Sequence, residues 1–165
     1  MKAIVYTSNT GFTKEYALLL QEVTMLEVFS LQEAKTRLNP KDEVIYLGWV
    51  FAGKIKGLNK ARSRYKLKAV GAVGMGEYSD EYEKMILNGN SLSQENSFYL
   101  QGGFDFAKLK GINRFIMGMM ANSMKKKTDL NAENQAFMSM YEKRTSYVSR
   151  DNLGPLIAFL ENEQQ

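Results

Sequence analysis

The chain has 165 residues, 44% of them hydrophobic, with 2 prolines and neither a cysteine nor a histidine. Length and apolar content support one buried core, so a single globular domain over residues 1–165 is expected. The missing side chains exclude disulfides, thiolate metal centres, thiol nucleophiles and histidine-based general base catalysis, so demanding chemistry has to come from a bound organic cofactor.

Lys2–Tyr6 (KAIVY) is a β-branched run bounded by turn residues, as in a buried strand, and is shorter than the apolar region of a secretory leader. Ser8, Asn9, Thr10 and Thr13 then surround Gly11 and Phe12 before Tyr16, Ala17, Leu19, Leu20 and Val23 recur at helical spacing. Two readings of that loop stand side by side. It is a turn and helix cap, or it is an anion site in which free amides, the helix dipole and hydroxyl donors converge where glycine permits close approach.

A second strand is predicted over Met25–Phe29 and a helix over Leu31–Leu38, stopped by Asn39-Pro40. Glu43–Val50 is nearly continuous in hydrophobicity, which suits a strand covered on both faces. A helix over Gly57–Tyr65 and a glycine-thinned strand over Ala69–Met75 follow. Asp80 and Glu83 have capping-box spacing at the next helix, and Ser97–Gln101 is a fifth strand ending in Gly102-Gly103. Helices are predicted over Ala107–Lys125, Asn131–Lys143 and Pro155–Glu161. Alternating strands and helices predict an α/β fold, a five-stranded parallel sheet with helices on both faces and ligands at the carboxyl ends of its strands.

The run Ile4-Val5-Tyr6-Thr7-Ser8-Asn9-Thr10-Gly11-Phe12-Thr13 resembles the flavodoxin signature, in which a hydrophobic strand leads into a Ser/Thr-x-Thr-Gly-x-Thr loop that holds the phosphate of FMN. The resemblance implies a flavodoxin-like sheet of order 2-1-3-4-5, FMN as cofactor, and Ser8, Asn9, Thr10, Gly11, Phe12 and Thr13 as its phosphate loop. It further implies that the loops after the third and fourth strands clamp the flavin ring. The matching positions are Trp49, Val50, Phe51, Ala52 and Gly53, then Gly74, Met75, Gly76, Glu77 and Tyr78. Trp49 fits a stacking partner and a core residue equally well, whereas Tyr78, in a glycine-rich loop with charged neighbours, favours a functional role.

Electron-carrier flavodoxins are typically acidic, and this chain carries a formal charge of +4 with an isoelectric point of about 9.1. Lys54, Lys56, Lys60, Arg62, Arg64, Lys66 and Lys68 form one basic stretch without an acid; Lys108, Lys110, Arg114 and Lys125–Lys127 form another around Asp105. Such stretches serve as a solvated face or as contact with an anionic membrane or acidic partner, and nucleic acid is not expected because no nucleic-acid module accompanies them. Tyr99–Phe104 followed by Lys110–Met117 resembles the menaquinone-dependent protoporphyrinogen oxidase branch of the flavodoxin-like proteins, although the porphyrin substrate does not carry over residue by residue. Leu109, Ile112, Phe115, Ile116, Met119 and Met120 make an apolar stripe that fits core packing or a membrane or quinone face.

The expected function is therefore that of an FMN-binding redox protein, an oxidoreductase passing electrons to a quinone-like or small-molecule partner. A carrier that docks only to redox proteins is the alternative, and a flavodoxin-fold interaction module without FMN is a third. The expected location is cytoplasmic, with peripheral membrane contact as a further expectation. No catalytic side chain and no metal ligand is assigned.

Overall fold

A computed structural model describes residues 1–109, 111–126, 134, 135, 138, 139, 141 and 143–163. Strands β1 (Ala3–Thr7), β2 (Glu27–Ser30), β3 (Glu43–Phe51), β5 (Lys66–Gly74) and β6 (Ser97–Gln101) form a parallel sheet in the order β2-β1-β3-β5-β6. This is the expected 2-1-3-4-5 sequence of main strands. The two-residue strand β4 (Lys54–Ile55), which pairs antiparallel with the end of β3, shifts the numbering by one.

Period-two alternation sends neighbouring strand residues to opposite faces. Ile4, Ile45, Leu47 and Leu100 pack on one face under α1 (Phe12–Thr24) and the C-terminal helix (Gly154–Asn162), which contribute Tyr16, Leu20, Leu156 and Leu160. Val5, Val44, Tyr46 and Tyr99 turn to the other face, where Leu58 and Ala61 of α3 (Leu58–Arg64) and Ile86 of α4 (Asp80–Gly89) cover them. Continuous hydrophobicity in β3 thus reports burial on two sides.

Several boundaries differ from expectation for identifiable reasons. The second strand begins at Glu27 because Met25 ends α1 in a left-handed conformation, φ 57°, its amide bonded to the Gln21 carbonyl. The helix expected over Leu31–Leu38 is the single turn α2 (Ala34–Arg37), and the capping box sits at its entry. There the Ser30 amide donates to Glu33 Oε2 at 2.9 Å and the Glu33 amide to Ser30 Oγ at 3.2 Å, and the Ser30 hydroxyl, then its amide, hold the Glu33 carboxyl below its usual range. Asp80 and Glu83 do not form such a box. Ser79 caps α4 by accepting the Tyr82 amide at 3.1 Å, and Glu83 instead accepts the Tyr99 amide at 2.8 Å.

The helix expected from Ala107 is preceded by a 3₁₀ turn, Phe106–Lys108, capped by Asp105; α5 proper is Gly111–Lys125. The helix expected over Asn131–Lys143 falls largely outside the described residues. Beyond it, β8 (Thr145–Ser146) pairs antiparallel with β7 (Gly103–Phe104), a union of segments far apart in sequence.

Tyr46 joins the two ends of this construction. Its fully buried hydroxyl donates to the Lys56 carbonyl at 2.6 Å and lies 2.8 Å from Thr7 Oγ1, tying the chain after β4 to the last residue of β1. Burial pushes its phenol up to about 12, against an ordinary value of 10.0. A raised folded-state value means that the stabilisation is complete below the unfolded value and is lost as pH climbs through the folded one, so it drains away between about pH 10 and 12. Tyr46→Phe is expected to lower folding stability by about 1 kcal/mol through the orphaned carbonyl, and to remove one late-ionising phenol from the alkaline ultraviolet titration. An unchanged titration curve would contradict this assignment.

Candidate functional site

The carboxyl ends of β1, β3 and β5 lie side by side: Thr7 pairs with Gly48, and Trp49 with Val73. A cavity of about 330 Å³ opens there, within the roughly 300–1,000 Å³ of cofactor clefts. Asn9, Thr10, Phe12 and Thr13 line it from the first loop, Trp49 to Gly53 from the second, and Gly74 with Met75 from the third.

In the first loop, Gly11 occupies the N-cap of α1 at φ 106°, a region costly to any residue with a Cβ. No side chain caps the helix. Ser8 Oγ accepts the Gly11 amide at 3.1 Å, which tightens the loop and leaves the first-turn amides of α1 without an intrahelical acceptor. The hydroxyl-rich loop therefore does not serve as an ordinary side-chain cap, and the first turn of the helix, through Phe12 and Thr13, borders the cavity with its positive end. Asn9 adds a second sign: its Nδ2 is the buried side-chain polar atom without a hydrogen-bond partner among the described residues.

Two cations that the sequence did not connect with this loop stand over it. Lys108 Nζ would lie 3.9 Å from a Cβ on Gly11, and the Arg144 guanidinium sits 5.2 Å from the Phe12 ring centre. Arg144 also bonds Glu15 at 3.1 Å and approaches the buried Asp105 at 3.8 Å, as does Lys108. Asp105 thus holds both cations beside the first loop, and only the tertiary fold brings residues near 11, 105 and 144 together.

The second loop is a β-hairpin. Val50 pairs with Ile55 and Phe51 with Lys54, leaving Ala52 and Gly53 as a two-residue turn with φ of 48° and 73°. Positive φ at both turn positions matches the twist of the flanking strands. The tip is exposed, yet it is fastened from outside. Asn90, just past α4, accepts the Ile55 amide at 3.0 Å through Oδ1 and donates Nδ2 to the carbonyls of Gly53 and Ile86, each at 2.8 Å. Lys54 Nζ adds a bond to the Gly89 carbonyl at 2.6 Å. The half-buried Trp49 ring stands 5.7 Å from Phe51, with Lys56 Nζ 5.1 Å from the Phe51 ring and 6.0 Å from that of Trp49. Trp49 lines the cavity and stands apart from both buried core clusters.

The third loop divides. Gly74 and Met75 reach the cavity; Gly76, Glu77 and Tyr78 do not line it. Tyr78 is 52% exposed and donates to Asp80 at 3.0 Å, which raises its phenol above the usual range. The aromatic that this side presents to the cavity is Tyr82, packed edge-on at 5.1 Å against Tyr99. Tyr99, whose hydroxyl bonds the Gly76 carbonyl at 2.7 Å, is raised further by burial and then by Tyr82. Ser8 and Gly11 of the first loop line a separate basic hollow beside Lys14, Lys35 and Lys60. Gly103, Phe104, Leu109 and Met117 complete the main cavity from the C-terminal side; none was among the candidate cofactor-binding residues, although Leu109 belongs to the stripe read as core packing or as a membrane or quinone face.

Among the described residues no group of three or more acidic side chains is placed to hold a metal ion, and no helix is long and apolar enough to cross a membrane. Comparison with family models matches the flavodoxin domain over residues 3–131. Comparison with curated proteins finds no significant match.

Asn90 is the side chain that fixes the hairpin. Asn90→Ala is expected to raise amide hydrogen exchange at Ile55 about ten-fold while leaving β1 unchanged, since each lost bond is worth about 1 kcal/mol. Asn90→Asp, which keeps the acceptor, is expected to fall between. Equal protection in the alanine variant would remove the fastening role.

Proposed function

The chain belongs to the flavodoxin family of domains, and from that premise we propose that it binds FMN in the cavity between its first three loops and acts as an oxidoreductase toward a quinone-like or small-molecule acceptor. One observation carries the cofactor assignment: the first loop, with its uncapped helix N-terminus, its buried unpartnered Asn9 amide and Lys108 and Arg144 beside Gly11 and Phe12, borders a cavity walled by aromatic rings. These groups fit a phosphomonoester joined to a flat apolar ring, which is the chemistry of FMN.

On this reading the first-turn amides of α1 with Thr10 and Thr13 hold the phosphate, Lys108 and Arg144 balance its charge, and Asn9 donates its free amide hydrogen. Trp49 and Tyr82 border the ring, and the hairpin carries backbone groups to its edge. Bound FMN supplies one- or two-electron chemistry, and the polypeptide contributes position and field. Lys56 lies beside the aromatic wall, where a cation favours the negative charge that arrives with electrons. The apolar lining from Phe104, Leu109 and Met117 supports a hydrophobic acceptor over a strictly protein-docking carrier.

Titration of the purified protein with FMN is expected to quench Trp49 fluorescence and perturb the flavin absorption bands; no change in either would defeat the assignment. Lys108→Ala is expected to weaken FMN several-fold while leaving riboflavin, which lacks the phosphate, unaffected. Lys56→Gln is expected to lower the flavin midpoint potential by tens of millivolts, roughly the worth of one charge in this setting. Reoxidation of the reduced holoprotein by a soluble naphthoquinone separates the enzyme from the carrier, which is expected to react with quinone no faster than free flavin does.

A further inference from the structure

Helix α5 is mounted the wrong way round for a helix that belongs only to a core. Ile112, Phe115 and Met119 are 66%, 63% and 58% exposed, and Ile116 and Met120 beside them are also open to solvent. At 3.6 residues per turn these five share one face, whereas Ala121, the buried residue of the helix among the described side chains, lies on the opposite side. Amphipathic helices ordinarily turn the apolar stripe inward. Arg114 shows how the inverted mounting is held: its guanidinium turns back to the Phe106 and Ala107 carbonyls, both at 3.3 Å, and stacks 4.8 Å from the Phe106 ring.

The charge around this face identifies its partner. No acidic residue occurs from Phe106 to Lys126, and Lys125 and Lys126 are exposed at the end of the helix. A second copy of the chain would bring the same acid-free, basic surface against it. Exposed large apolar side chains flanked by lysines are instead the pattern of a helix lying in the headgroup region of a bilayer, where the side chains enter the acyl boundary and the ammonium groups meet anionic lipid.

We propose that α5 is an interfacial helix that docks the protein on an anionic lipid surface through Ile112, Phe115, Ile116 and Met119, with Lys126 at its end contacting headgroups. Met117, on the flank of the same helix turned away from that face, lines the cavity, so docking brings the cavity to within about one helix diameter, roughly 10 Å, of the lipid. The docking rests on the helix alone; only its consequence, access to an acceptor dissolved in the bilayer, rests on the flavin reading.

Co-sedimentation with phosphatidylcholine vesicles, with and without phosphatidylserine, tests the proposal on the full chain with and without FMN. Binding to the serine-containing vesicles at low salt, weaker at high salt, is expected in both states, so a failure to bind FMN is a separate result. Phe115→Gln with Met119→Gln, both at exposed positions, is expected to cut partitioning about ten-fold or more while leaving the thermal melt unchanged. Absence of wild-type binding at low salt overturns the proposal. So does unaltered binding of the double variant, which would mean adsorption by charge alone. Self-association in lipid-free ultracentrifugation that the double variant abolishes would make a second copy the occupant and likewise overturn it.

Discussion

The parallel registration of β1, β3 and β5 is the constraint on which the site depends. Because Thr7 lies beside Gly48 and Trp49 beside Val73, the chain leaves three strands at one level, and whatever the following loops carry is gathered at one edge. The two-sided core enforces that level. A one-residue slip of β3 would exchange Ile45 and Leu47 with Val44 and Tyr46 between faces and pull the Tyr46 hydroxyl from Lys56 and Thr7. The edge then inherits its chemistry from backbone direction: one helix borders the opening with its positive end, and one hairpin folds back across it.

The strands and the hydroxyl-rich first loop were legible in the sequence because each rests on local pattern, whereas the strand order came from the flavodoxin resemblance. β-Branched runs, two-residue alternation and a glycine between hydroxyls are readable without knowing what packs where. The hairpin at Ala52-Gly53 escaped because alanine at positive φ has no strong local signature; its conformation is imposed by Asn90, which lies dozens of residues away and has the look of an ordinary helix end. Lys108 and Arg144 escaped for a similar reason, since nothing nearby in the sequence links either to Gly11. Tyr78 and Tyr82 illustrate the limit within a single turn of chain: composition marks both, but only the path of α4 determines which ring meets the cavity.

Periodicity carries a comparable ambiguity in α5. A stripe recurring every three or four residues establishes that a helix has an apolar side, yet not the direction in which that side points. Here Arg114, which a helical wheel would assign to solvent, is bonded to two backbone carbonyls, and the residues a wheel would bury are outside. Charge distribution gives the missing information. A uniformly basic helix beside an aromatic cavity, in a chain with an isoelectric point of about 9.1, sets an electrostatic surface unlike that of an acidic shuttle.

The pairing of β7 with β8 has a consequence for how the protein folds. Gly103 and Phe104 meet Thr145 and Ser146, and Asn152 reaches back 2.7 Å to the Tyr16 hydroxyl, which itself holds the Gln101 carbonyl at 2.5 Å. The bond from Asn152 to Tyr16 spans far more of the chain than any strand pairing within the parallel sheet, so this edge of the cavity is expected to order after the sheet itself.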